Sequence, residues 1–247
     1  MEPFSPQKYG FDRIYEDNHL LIVNKPAGIL VQGDATGDQP LVEKARQYLK
    51  EAYQKPGNVF CGVVHRLDRP VSGLVVLAKT SKGLERMNQL FRLRKVRKVY
   101  WTITKRRPPE AEGKLTHWLT KDPKKNKTTA FDAPKGDAKK SELHYRTLGK
   151  LNDHFLLEVS PITGRPHQIR AQLAAVGCPI RGDLKYGFAK ANPDGSIHLH
   201  ARRLFFVHPI KQEPLICTAP LPEQDFWEQF LTLDDFKVSQ RRLDFLY

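Results

Sequence analysis

The chain has 247 residues, 40% of them hydrophobic and 28% charged, enough to bury a sizeable core in one or two domains. Its longest apolar runs, at 20–23 and 74–78, fall far short of the roughly 20 residues of a membrane span, and the first six residues lack a basic segment leading into an apolar one. A cytoplasmic protein is therefore expected; 41 basic against 27 acidic residues leave a net charge of +14, which favours a polyanionic partner. The three cysteines, Cys61, Cys178 and Cys217, are odd in number and sit in apolar contexts, which suits reduced core thiols rather than a disulfide framework or a metal site.

In chain order, alternating and β-branched stretches predict strands near 12–15, 18–23, 60–64, 74–79, 96–104, 114–120, 126–131, 141–147, 154–160 and 198–207. Helical spacing appears at 40–54 (Leu41, Ala45, Leu49, Ala52), 81–93 (Leu84, Met87, Leu90, Phe91) and 166–176 (Ile169, Leu173, Val176), the last with Gly177 as its C-cap. A fourth helix, 222–231, opens on Pro-Glu-Gln-Asp, a first-turn proline with acids that the helix dipole favours. Strands punctuated by single helices, without a regular βαβ rhythm, predict an α+β fold with a central mixed, mostly antiparallel sheet and flanking helices. One domain is expected over 1–218, with 219–247 a helical extension that packs Phe226, Trp227 and Phe230 on the same body.

The positive charge comes in blocks. Residues 92–107 hold eight basic side chains (Arg92, Arg94, Lys95, Arg97, Lys98, Lys105, Arg106, Arg107) and no acid, and 121–140 hold seven lysines against three aspartates, in what read as basic loops. Beside aromatics such as Tyr100, Trp101, Trp118 and Phe131, blocks of this size point to nucleic acid before a membrane surface, since none of them is also a strongly amphipathic helix.

Two segments carry the chemistry. At 61–79 two apolar strands flank His65-Arg66-Leu67-Asp68-Arg69-Pro70-Val71-Ser72-Gly73, and an Asp between two arginines is kept ionised by their field, as a nucleophile requires. On composition alone, an ordinary turn with an Asp–Arg pair is the favoured reading of these residues. At 161–173, Thr163 as a cap and Pro166 in the first turn would leave backbone N–H groups beside Arg165, an arrangement suited to phosphate. His167 and Arg170 lie three apart on one face, with Arg170 set beside buried surface where a carboxylate partner would be welcome. The pair His198 and His200 could ligate a metal from alternate strand positions, but no Cys, Asp or Glu stands at ligand spacing, so no metal is expected. His65 invites a general-base reading, and a Ser–His–Asp hydrolase through Ser72 lacks the Gly-x-Ser-x-Gly elbow.

His65-Arg66-Leu67-Asp68 with Ser72-Gly73 and a strand ending Ala78-Lys79 resembles the catalytic signature of the RluA-type pseudouridine synthases. The resemblance continues in order through Asn24-Lys25-Pro26-Ala27-Gly28, Lys98-Val99-Tyr100, Gly164-Arg165-Pro166-His167-Gln168-Ile169-Arg170, Gly182-Asp183, Tyr186-Gly187 and Leu199-His200-Ala201-Arg202-Arg203, over about 11–210. Val71 and Pro166 replace usual threonines and Gln172 a common histidine, none of them a catalytic group. The resemblance implies the pseudouridine synthase fold with a catalytic cleft, isomerisation of uridines in structured ribosomal or transfer RNA, and no cofactor. It implies Asp68 as the essential carboxylate, Arg170 as its ion-pair partner, Tyr100 stacked on the uracil, and Arg66 filling the space of a flipped base. With Arg66, the residues expected on RNA are Arg69, Arg165, His167, Arg94, Lys95, Arg97 and Lys98, in a monomer without an obligatory protein partner. Since the motifs begin near the N-terminus, no separate N-terminal S4 RNA-binding domain is expected, and the basic blocks would supply RNA affinity. A silent RNA-binding protein and an RNA N-glycosidase are the rival classes, the second distinguished by release of free uracil.

Overall fold

A computed structural model describes residues 4–34, 37–223 and 225–231. In chain order it contains α1 (Pro6–Tyr9), β1 (Asp12–Glu16), β2 (Leu20–Lys25), α2 (Leu41–Ala52), β3 (Gly62–Val63), β4 (Ser72–Ala78) and α3 (Ser81–Arg92). There follow β5 (Arg97–Thr104), β6 (Glu112–Asp122), β7 (Lys127–Phe131), β8 (Lys139–Leu151), β9 (His154–Pro161), α4 (Gln168–Ala175), a 3₁₀ turn (Leu184–Tyr186), β10 (Leu199–Val207), β11 (Pro214–Thr218) and α5 (Asp225–Leu231). The chain divides into two compact units: the first runs to Lys98 and takes in Ala201–Pro220, and the second is Val99–His200 with the chain from Leu221 onward.

In the first unit the strands lie in the order β1-β2-β4-β10, with β3 added to β4 and β11 to β10. Leu20–Val23 and all seven residues of β4 are buried, so these continuous apolar runs are central strands covered on both faces. Leu20, Ile22, Leu74, Val76, Leu204 and Phe206 pack with Met87 of α3, while α2 turns inward Leu41, Val42, Ala45, Tyr48 and Leu49. Gly73 sets the spacing at the head of β4: a Cβ there would lie 2.4 Å from the Ala201 carbonyl oxygen, and its φ of +114° is open to few other residues.

In the second unit the order is β5-β9-β8-β6-β7, every neighbour antiparallel. The 121–140 block, expected as loops, is mostly the β6–β7 hairpin and the start of β8, and all seven of its lysines are exposed. Trp227 and Phe230 of α5 are buried, and the Phe226 ring lies under Arg181 (4.1 Å) and against His154 (4.8 Å). Residues 232–247 of the expected extension lie outside the described residues.

Every strand expected from alternation is present, but α1 and β11 were not expected. Helix α1 is a single turn, and β11 opens on Pro214 after Pro209 and a polar Lys-Gln-Glu stretch, with little apolar alternation of its own. All three cysteines are buried and free; burial pushes the Cys61 thiol up to about 12 and the Cys217 thiol up to about 11, which keeps them protonated.

Candidate active site

The Asp68 turn is built where a strand leaves its sheet. β3 pairs with Ala78 and Leu77 of β4, and the Val64 N–H still reaches the Val76 carbonyl at 3.4 Å. One residue later the backbone departs, and the His65 Nε2 accepts the Val76 N–H at 3.1 Å in place of a backbone carbonyl. The imidazole stacks on Phe91 of α3 (centroids 4.8 Å apart, planes at 24°). Burial, and secondarily the charge of Lys98, push the His65 imidazole down to about 3. It is a neutral acceptor holding the root of the turn, so the general-base reading of His65 is set aside. Asp68 itself opens a tight turn, its carbonyl accepting the Val71 N–H at 3.0 Å, with Leu67 and Val71 buried on either side. The Asp68 side chain is half-buried and Arg66 is exposed.

The turn is clamped from beneath by Lys25, the last residue of β2 and wholly buried. Its Nζ donates to the carbonyls of Pro26 (2.8 Å), Ile29 (2.9 Å) and Arg69 (3.3 Å). The Gly28 N–H adds a bond to the Arg69 carbonyl at 2.8 Å, and the Arg69 Nε donates back to the Gly28 carbonyl at 3.0 Å. Burial drives the Lys25 ammonium down to about 7, the Asp68 carboxylate pulls it up, and Arg69 pushes it down. The guanidinium of Arg69 also meets the Asp38 carboxylate at 2.7 Å, so this arginine ties loop to loop instead of acting only through its field on Asp68. From the sequence Lys25 carried no role beyond its place in the Asn24-Lys25-Pro26-Ala27-Gly28 motif, because it looks like the polar end of an apolar strand; the available signal was a lysine close behind the apolar run Leu20–Val23 and directly before Pro-Ala-Gly.

In the second unit Tyr100 lies half-buried on β5 opposite Val159 of β9. Arg170, on α4, is 5% exposed and makes a fork with Asp183, itself 1% exposed: Nε to Oδ2 at 2.7 Å and Nη2 to Oδ1 at 2.8 Å. Its guanidinium also lies 4.9 Å from the centre of the Tyr186 ring. The carboxylate that buried surface called for beside Arg170 is thus, within this unit, Asp183, which the sequence marked only through the Gly182-Asp183 motif. Tyr186 joins three elements: its hydroxyl accepts the Thr128 N–H of β7 at 2.8 Å and meets His167 Nδ1 at 2.9 Å, while its ring carries Arg170. His167 and Arg170 do converge, but through this phenol.

The expected phosphate seat at the start of α4 is corrected by the geometry. The helix begins at Gln168, and its N-cap is His167 in the left-handed region (φ 53°) with no side-chain cap bond. Thr163 is spent elsewhere: its Oγ1 accepts the Glu142 N–H at 3.0 Å and bonds the Gln168 Oε1 at 2.8 Å. The Arg165 N–H donates to that same Gln168 oxygen at 3.0 Å, so the side chain of Gln168 occupies the N–H that an anion would need. Arg165 itself is exposed.

Of the expected RNA contacts, Arg94, Lys95 and Arg97 stand exposed around the α3–β5 turn, with Arg92 of the same basic block exposed beside them, whereas Lys98 is largely enclosed and burial lowers its ammonium. His198 and His200 are buried against Trp227, and burial pushes His198 down to about 4. Among the described residues no group of three or more metal-ligating side chains occurs.

A family model described as RNA pseudouridylate synthase matches residues 19–175. The chain is 33% identical over 216 residues to the ribosomal large subunit pseudouridine synthase C of Buchnera aphidicola, covering 84% of this chain and 66% of that protein. It is 35% identical to the enzyme of the same name from Rickettsia prowazekii (85% and 67% covered). The chain therefore spans about two thirds of the length of these curated relatives. The solved structure of human RNA pseudouridylate synthase domain containing 4 superposes with a TM-score of 0.70 at 25% identity, over 94% of this chain and 93% of that one. Human RNA pseudouridylate synthase domain containing 1, at 23% identity and a TM-score of 0.68, shares the fold. With a family model matching 157 consecutive residues and relatives above 30% identity, the chain belongs to the RNA pseudouridylate synthase family.

Proposed function

We propose that this protein isomerises specific uridines to pseudouridine in structured RNA, ribosomal or transfer, through the carboxylate of Asp68. The observation that carries the reading is the build of the Asp68 turn, a half-buried carboxylate on a tight loop fixed by His65 and by the buried ammonium of Lys25. An ordinary surface turn needs no such foundation; a carboxylate that must meet one carbon atom of a bound nucleotide does. Family membership supports the same assignment.

In the reaction the N1–C1′ bond breaks and a C5–C1′ bond forms, C5 gives up a proton and N1 gains one, so no redox partner or group carrier is consumed. The ribose acquires oxocarbenium character as uracil leaves, and an anionic carboxylate either adds to C1′ or removes the 2′ proton. Tyr100 is assigned the face of the uracil, Arg66 the gap left by the flipped base, and Arg170 the positive charge paired with the Asp68 carboxylate. The catalytic domain is assigned to 1–218 with 219–247 appended, acting as a cytoplasmic monomer; no helix among the described residues is long and apolar enough to cross a membrane. The test is to map carbodiimide-reactive pseudouridines in ribosomal and transfer RNA from cells with and without the gene, then to restore it as wild type or Asp68→Asn. Sites that vanish, return with wild type and stay absent with Asp68→Asn support the reading. Unchanged maps, or free uracil from the purified protein, refute it.

A further inference from the structure

Two helices of this protein end in the same hydrogen-bonded turn with different residues at its strained position. At the end of α4, Gly177 (φ 75°) donates to the Ala174 carbonyl and Cys178 to that of Leu173. At the end of α3, Arg94 (φ 56°) donates to the Phe91 carbonyl and Lys95 to that of Leu90. The pattern is the Schellman cap, whose left-handed residue is usually glycine because a Cβ is disfavoured there. Attraction of basic side chains to a helix C-terminus accounts for Arg92, but it gives no reason for an arginine in place of the glycine.

What the turn presents is a compact cationic knuckle. Arg92, Arg94, Lys95 and Arg97 are exposed, Leu93 between them is 52% exposed, and no acidic residue occurs from 92 to 107. The side chains of Arg92, Arg94 and Lys95 have no hydrogen-bond or ion-pair partner among the described residues. The knuckle is also rigidly related to the Asp68 turn: Phe91, three residues before Arg94, stacks on His65, three residues before Asp68.

We infer that the α3–β5 knuckle is an RNA-backbone docking site in which Arg94 keeps a strained turn so that its guanidinium, with Arg92 and Lys95, meets phosphates at a set distance from Asp68, Leu93 resting against sugar or base. The inference rests on the RNA reading above and assigns a place to the first contact.

The test measures Kd of the full chain for a large-subunit ribosomal RNA transcript across a KCl series, with thermal melting in parallel, for wild type, Arg94→Gly, Arg92→Ala/Lys95→Ala and the control Lys50→Ala, an exposed lysine on α2. Arg94→Gly should melt at or above wild type, weaken RNA binding threefold or more, and flatten the slope of log affinity against log salt by roughly 0.7–0.9. Arg92→Ala/Lys95→Ala should flatten it by about twice that, and Lys50→Ala should change neither. Wild-type affinity and slope in both knuckle variants, effects no larger than those of Lys50→Ala, or a lowered melting point for Arg94→Gly would each overturn the inference. Pseudouridine formation by wild type on the same transcript is scored separately: if none forms while the knuckle variants still bind weakly, the activity reading fails and the docking site stands.

Discussion

Breaking the Asp183–Arg170 fork should cost far more than a surface ion pair. Both partners are nearly inaccessible, at 1% and 5%, and the two bonds of 2.7 and 2.8 Å run in the paired geometry that only arginine offers a carboxylate. An exposed pair contributes about 0–1 kcal/mol; removing one member of a buried pair leaves an uncompensated charge and costs about 3–5 kcal/mol. Asp183→Ala should therefore lose about 3–5 kcal/mol in urea unfolding, and Asp183→Asn nearly as much, because its amide turns an N–H toward a guanidinium N–H. Arg170→Met should lose a similar amount by stranding the Asp183 carboxylate. The double variant should fall well short of the sum, since neither charge then remains buried, with a coupling energy of at least about 2 kcal/mol. Additive losses, or an Asp183→Ala change below about 1 kcal/mol, would show that the fork does not hold Arg170 in place.

Three further outcomes follow from the same geometry. Lys25→Met should cost about 1–3 kcal/mol by stranding the carbonyls of Pro26 and Ile29, and should remove a rise in stability between pH 7 and 10.5; that rise exists because the unfolded lysine binds a proton which the folded one has lost, and a stability–pH curve unchanged by the substitution would refute it. His65 is held well below its ordinary value, so stability should decline as pH falls from about 6.5 toward 3, and His65→Gln, which keeps an acceptor but cannot titrate, should flatten that decline in denaturant titrations at each pH; an equally steep decline would refute it. Tyr186→Phe strands the Thr128 N–H and frees His167, so hydrogen exchange at Thr128 should accelerate by about tenfold, corresponding to a loss near 1.4 kcal/mol, while the ring still faces Arg170; unchanged exchange would place the support of β7 elsewhere.

Periodicity located nearly every strand and four of five helices because the elements are long and their apolar faces regular, as in β4 and α2. The short pieces escaped: α1 is one turn, and β11 gains its place from pairing with β10. The motif residues were legible as chemistry, an Asp between arginines and an Arg beside buried surface. Their supports were not, since nothing local in the chain tells that Lys25 lies under a loop more than forty residues away, or that Asp183 is the fork for Arg170. The reading of Thr163 as a cap failed for a related reason. Gln168, five residues on, competes for the same backbone group, and competition between side chains is invisible to spacing rules.

Gly73 makes one position in the chain a ruler. A side chain there would need about 1 Å of extra room against the backbone of Ala201, so any replacement must pry two strands of the central sheet apart at the root of the Asp68 turn. A saturation scan should therefore score position 73 among the least tolerant in the protein although glycine has no group to offer a reaction. Intolerance that close to Asp68 would report the spacing of two strands, and ranking residues by sensitivity alone would mistake a spacer for a reagent.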